Sequence, residues 1–187
     1  MTVNVAHALR PCPGFDVSGD AAVVRVCEGS ALFGVVDALG HGPHAARVAQ
    51  LAMSFLDQVD LSRALGEILE ELHDVLARTR GAAIGLCLLH DDVVDVSIVG
   101  NVEIRSVGTP VGVVAAPGIL GRRVRKFRYS RSHLRRGDRL VVYSDGLSRP
   151  EIDTVRRMPP LEACQELLRR HGRPADDASV VVADFMP

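Results

Sequence analysis

The chain alternates between short apolar, β-branched runs and two longer stretches of helical period. Val3–Arg10 alternates loosely. Ala21–Cys27 and Ala31–Val36 are apolar runs joined by Glu28-Gly29-Ser30, a hairpin link with glycine at its centre. Gly40-His41-Gly42-Pro43 breaks the pattern, and Pro43 suits the first turn of a helix. Ala45–Val59 is apolar almost all round, which predicts a helix buried on more than one side. After Asp60, the residues Leu61, Leu65, Ile68, Leu72 and Leu76 recur at steps of three and four and predict a second helix with one apolar stripe. Glu67, Glu70, Glu71 and Asp74 lie off that stripe.

Strands resume at Gly81. Ala82–Leu89, Val93–Val99 and Val102–Val107 are joined by the turn residues Asp91-Asp92 and Gly100-Asn101, which predicts an antiparallel meander. Thr109–Gly121, rich in Gly and Pro, reads as loop. Val124–Ser130 and Arg139–Tyr143 read as strands, Leu161–Arg170 as a helix closed by Gly172 and Pro174, and Ser179–Phe185 as the last strand. This order lacks the regular βαβ alternation of a parallel sheet. It predicts an α+β fold of two antiparallel sheets packed face to face, with helices covering the outer faces. No internal repeat or linker divides the 187 residues, so residues 1–187 read as one domain.

Composition narrows the picture. At 47% hydrophobic and 24% charged residues the chain can build a large core, which argues against disorder. A net charge of -1 gives no overall pointer to nucleic acid or membrane. No apolar run reaches the roughly 18–20 residues of a membrane span, and Met1–Arg10 has no basic segment leading into a hydrophobic one. Cys12, Cys27, Cys87 and Cys164 form no CxxC pair and read as small buried hydrophobes. A cytoplasmic location follows as the default.

Four acidic motifs carry the chemistry: Ser18-Gly19-Asp20, Asp37-Ala38-Leu39-Gly40-His41-Gly42, Ser144-Asp145-Gly146 and Asp176-Asp177-Ala178-Ser179. Three of them stand where an apolar run meets a loop. Each aspartate alone is an ordinary turn or cap residue. Brought together, four carboxylates would repel one another and desolvate poorly without cations. Convergence would therefore imply bound metal, and all-oxygen ligands favour Mg²⁺ or Mn²⁺ over zinc.

In this order and strand context the motifs resemble those of the PPM-type metal-dependent protein Ser/Thr phosphatases, and within them the bacterial SpoIIE-like branch. Arg80-Gly81-Ala82-Ala83, Val99-Gly100-Asn101-Val102 and the string Asp145-Gly146-Leu147-Ser148-Arg149-Pro150-Glu151-Ile152 are similar to its short stand-alone members, the RsbX-type phosphatases of the stressosome. The similarity runs from about Gly14 to Asp184. It implies an αββα four-layer sandwich with two Mn²⁺ or Mg²⁺ ions at one end of the sheets. By position, Asp37 would bridge the two ions and the Ala38 carbonyl would be a ligand of one of them. Asp145 and Asp176 would complete the shell of the other, and Asp20 would act through coordinated water. Asp177 is the alternative to Asp176 if the register of the last motif slips by one. The resemblance further implies hydrolysis of phosphoserine and phosphothreonine by a hydroxide held between the ions. The partners it implies are phosphorylated regulatory proteins, namely the STAS-domain components of the stressosome.

Two departures stand out. Residue 38 is Ala where many relatives have Gly, which costs little unless the backbone there needs a positive φ. Asp16 occupies the place where eukaryotic relatives carry a phosphate-binding Arg, so phosphate must be met by the metals or by another residue. His41, four residues after Asp37, is either a general acid for the leaving Ser or Thr oxygen or a structural turn residue, and His44 reads as helix surface. The stretch Arg122–Arg139 is a positive patch that either docks an acidic surface or guards a solvated edge strand. Two other functions compete with the phosphatase: a catalytically weak binding module of the same fold, and a two-metal nuclease or phosphodiesterase.

Overall fold

The computed structural model describes residues 2–186. Eleven strands are described: β1 Thr2–Arg10, β2 Asp20–Cys27, β3 Ser30–Ala38, β4 Ala82–His90, β5 Val93–Val99, β6 Glu103–Val107, β7 Gly118–Ile119, β8 Arg123–Val124, β9 Tyr129–His133, β10 Arg139–Tyr143 and β11 Ala178–Met186. The helices are α1 Gly42–Leu56, α2 Leu65–Val75 and α3 Pro160–His171, with a 3-10 turn at Ile152–Val155. One antiparallel sheet has the order β1-β11-β10-β6, the other β2-β3-β4-β5-β9, and β7 and β8 form a separate hairpin. The α+β expectation of two antiparallel sheets flanked by helices holds.

Period-two alternation explains how the layers stack. On β4, Ile84, Leu86 and Leu88 join the cluster beneath α1 and α2, while Ala83, Cys87 and Leu89 face the other sheet. That strand is therefore apolar at nearly every position, because both of its faces are covered. On β11, Val181, Ala183 and Phe185 point into the inter-sheet core, and Val180 and Val182 pack under α3. Phe33 and Phe185 meet across the sheets with ring centroids 6.5 Å apart. Fully burying a side chain of this class contributes about 1.5–3 kcal/mol.

Several details differ from the sequence reading. Val102–Val107 does not extend a meander. As β6 it crosses to the other sheet and pairs with β10, because Val102 and Ile104 belong to the inter-sheet core. The vacated edge of β5 is taken by β9, which is Tyr129–His133 rather than Val124–Ser130. The Gly- and Pro-rich loop yields the short β7–β8 hairpin. Helix α1 begins three residues earlier than Ala45 and stops at Leu56, and Leu61 is buried ahead of α2. Cys27 is exposed, whereas Cys12, Cys87 and Cys164 are buried. Arg139 is not part of the basic patch: it is buried, pairs with Asp184 at 2.6 Å and donates to backbone carbonyls of Val155 and Met158. Among the described residues no helix is long and apolar enough to cross a membrane.

The topology gathers the acidic motifs at one end. Asp20 opens β2 opposite Asp37, which stands one residue from the end of β3. Asp145 follows β10, and Asp176 and Asp177 immediately precede its partner β11. Antiparallel pairing thus brings two acids from each sheet to the same edge of the sandwich.

Candidate metal centre

Asp37, Asp145 and Asp176 line one cleft of about 510 Å³, together with His41, Asn101 and the backbone of Gly40 and Gly118. Asp20 lies behind this wall rather than in it. It is buried at 5% exposure and accepts a hydrogen bond from Ser179 Oγ at 2.7 Å. Ala38 is buried in extended β3, and its N–H donates to the Gly19 carbonyl at 3.0 Å. Among the described residues the only non-glycine positions with positive φ are Asp91 and Arg149, so alanine at 38 carries no backbone strain.

The electrostatics are those of carboxylates crowded without a cation. Burial, followed by the charges of Asp20, Asp145 and Asp176, pushes Asp37 up to about 8. Burial pushes Asp20 up to about 7, against the hydrogen bonds from Ser144 and Ser179. Asp176 is raised by burial and by Asp145. Among the described residues none of these side chains forms a salt bridge, and no three His, Cys, Asp or Glu side chains converge on a single point. The three cleft acids offer carboxylate oxygens, and among the described residues no side-chain cation pairs with them. That donor set fits hard divalent ions such as Mn²⁺ or Mg²⁺.

The structure separates the two neighbouring aspartates of the last motif. Asp177 is buried and uses one oxygen for the N–H of Cys12 at 2.8 Å and the other for the N–H of Gly19 at 2.9 Å. Asp176 instead faces the cleft. Two glycines permit this packing. A Cβ on Gly146 would stand 1.9 Å from the Asp177 carbonyl oxygen, and one on Gly19 would meet the Asp177 carboxylate at 3.0 Å. Gly19 of the first motif and Gly146 of the third are thus places where the chain packs directly on the last motif.

Three residues at the cleft were not singled out as site residues by their type. Asn101 Nδ2 donates to Asp145 Oδ2 at 2.5 Å, orienting that carboxylate. The Val99-Gly100-Asn101-Val102 string was the signal for it. Arg80 stands beside the cleft residue Gly40, its Nη1 3.1 Å from where a Cβ of Gly40 would project. Phe15 packs against His41 in a tilted arrangement, ring centroids 5.0 Å apart. His41 itself is exposed on the cleft wall, and its side chain makes no capping bond to α1, so capping is not its role. His44 is exposed helix surface, 3.1 Å from Arg47 Nη2. A second groove of about 800 Å³, lined by Arg149 and Arg173, shares Asn101 and Asp145 with the cleft.

Known structures close the comparison. The chain superposes on a chain solved in work on the bacterial stressosome, a modular system adapted to control secondary messenger signalling. There the TM-score is 0.87 and the identity 28%, over 98% of this chain and 100% of that one. RsbX in complex with magnesium gives a TM-score of 0.83 at 18% identity, over 97% of this chain and 94% of that one. The chain has the PPM-type phosphatase fold. The serine/threonine phosphatase PstP/Ppp of Mycobacterium tuberculosis shares this fold at a TM-score of 0.75 and 17% identity, with both chains covered at 100%. No family model matches the sequence, and no curated protein matches it. The likeness to the PPM-type fold, close to that of RsbX, therefore rests on three-dimensional structure.

Proposed function

We propose that the chain is a metal-dependent protein Ser/Thr phosphatase acting on phosphoserine and phosphothreonine of regulatory partners, with STAS-domain proteins of a stressosome as the partner class. The observation that carries this is the single cleft lined by Asp37, Asp145 and Asp176, with Asp20 behind it and, among the described residues, no side-chain cation paired to any of them. Asp37, Asp145, Asp176 and the Ala38 carbonyl would hold two Mn²⁺ or Mg²⁺ ions. When bound, these supply an activated water and neutralise charge on the phosphoryl oxygens.

The remaining work falls to the chain's own groups. Asn101 fixes the rotamer of Asp145 through its 2.5 Å hydrogen bond. The Arg80 guanidinium, which among the described residues has no ion-pair partner, supplies beside Gly40 the positive charge that Asp16 does not. His41 on the wall is placed to give a proton to the departing Ser or Thr oxygen. Resemblance to a stressosome chain at 28% identity and to RsbX in fold supports the partner class.

The test is phosphate release from a phosphorylated STAS protein with Mn²⁺. Asp37→Ala and Asp145→Ala are expected to lose this activity. Full activity in both variants would remove the site assignment. Calorimetric titration with Mn²⁺ separates an enzyme from an inert binding module, which would take up no divalent ion tightly.

A further inference from the structure

The charge of the chain is unevenly placed. From Ile104 to Gly137 it carries nine Arg or Lys residues and no Asp or Glu, in a protein whose net charge is -1. Two of the nine are neutralised, Arg105 by Glu103 at 3.0 Å and Arg131 by buried Asp95 at 2.8 Å. Among the described residues the others form no salt bridge. Arg122, Arg123, Arg125, Lys126 and Arg128 are all exposed.

Their backbone is anchored from beneath. Val124 and Phe127 pack against the cluster under α1 and α2, and Phe127 meets His73 edge-on at 6.0 Å between ring centroids. Gly121 N–H donates to His73 Nδ1 at 3.0 Å. The apolar positions fix the segment, and the intervening cations point outward. Guarding a sheet edge does not account for them. The edge strand β9 begins at Tyr129, after the cations, and the arginine within it is the one already held by Asp95.

The strip also starts at the cleft. Gly118 and Ile119 of β7 line it and pair with Val124 and Arg123 of β8. Like charges packed within a Debye length of about 8–10 Å repel one another, and an anionic partner relieves that cost. We infer that Arg122–Arg128 is a docking surface for an acidic segment of a phosphoprotein, seated beside the residue that enters the cleft. What the partner carries rests on the phosphatase reading. Nucleic acid is the weaker fit, because Phe127 is committed to the core and leaves Tyr129, at 62% exposure, as the aromatic on offer.

The test is fluorescence anisotropy without metal or turnover, using a labelled phosphoserine peptide flanked by Asp and Glu and the same peptide flanked by Ser and Gln. On the unaltered protein the acidic peptide is expected to bind about tenfold or more tightly than the neutral one near 50 mM salt, and to lose that advantage near 300 mM. The combined Arg123→Glu, Arg125→Glu, Arg128→Glu protein and its Gln counterpart are both expected to lose the preference. The inference fails if the two peptides bind alike, if the Gln form keeps the preference, or if duplex DNA of matched charge displaces the acidic peptide. Absence of hydrolysis in a separate Mn²⁺ assay would fault the reading of the cleft and not that of the strip.

Discussion

Asp177 accepts the backbone N–H of Gly19 at 2.9 Å, so the last acidic motif holds the first one in place. Its other oxygen takes the N–H of Cys12 at 2.8 Å. Removing this carboxylate strands two N–H groups, at roughly 1.5–3 kcal/mol for each charge-assisted bond. Asp177→Ala is expected to lose about 3 kcal/mol in urea denaturation. Asp176→Ala should change stability by less than about 1 kcal/mol yet abolish Mn²⁺ uptake in calorimetry. The opposite pattern would exchange the two roles.

The raised acids set a pH dependence. Asp37 and Asp20 are pushed up to about 8 and about 7, chiefly by burial, from 3.8 in an open chain. Between about pH 4 and about 8 the metal-free folded protein holds more protons than the unfolded one, so its stability falls as pH rises through that window. Divalent ions need the ionised carboxylates, and their binding releases protons. Melting in EDTA should therefore drop from about pH 5 to about pH 8, while the gain from Mn²⁺ widens. A metal-free melting point that climbs over this range would contradict the assignment.

Asn101 offers a prediction about orientation. Its side chain is the hydrogen-bond donor to Asp145 in the cleft. Residues that steady a metal-binding carboxylate typically cost 10–100-fold when removed. Asn101→Ala is expected to weaken Mn²⁺ affinity by about that factor, with the urea midpoint little changed. Unaltered Mn²⁺ affinity would show that Asp145 needs no such support.

Gly146 should resist any side chain. A Cβ there meets the Asp177 carbonyl oxygen at 1.9 Å, so either the backbone beside Asp145 or that beside Asp176 must shift. Overpacking of this kind costs about 1–3 kcal/mol. Gly146→Ala is expected to lower the urea midpoint by that much and to weaken Mn²⁺ binding as well. A stable variant with full metal affinity would count against the tight junction.

Much of this is legible in the chain because three of the four acidic motifs stand where an apolar run meets a loop, and antiparallel pairing carries such ends to a common edge. The layer order followed from strands apolar on both faces, as in β4. What stayed hidden depends on contacts between distant segments. Asp176 and Asp177 are chemically identical neighbours, and the backbone of Cys12 and Gly19 decides which of them turns inward. The crossing of β6 is equally non-local, since Val102 and Ile104 fit either sheet by pattern and are claimed by the inter-sheet core. Arg139 reads as one more cation of a patch by sequence alone, and its pairing with Asp184, 45 residues on, is what withdraws it from the surface.

The seam position of the four acids makes occupancy a mechanical matter. Asp20 and Asp37 ride on one leaf, while Asp145 and Asp176 ride on the other. A divalent ion shared among them would clasp the leaves at their open end, so that loading the protein with metal and closing its sandwich become one event.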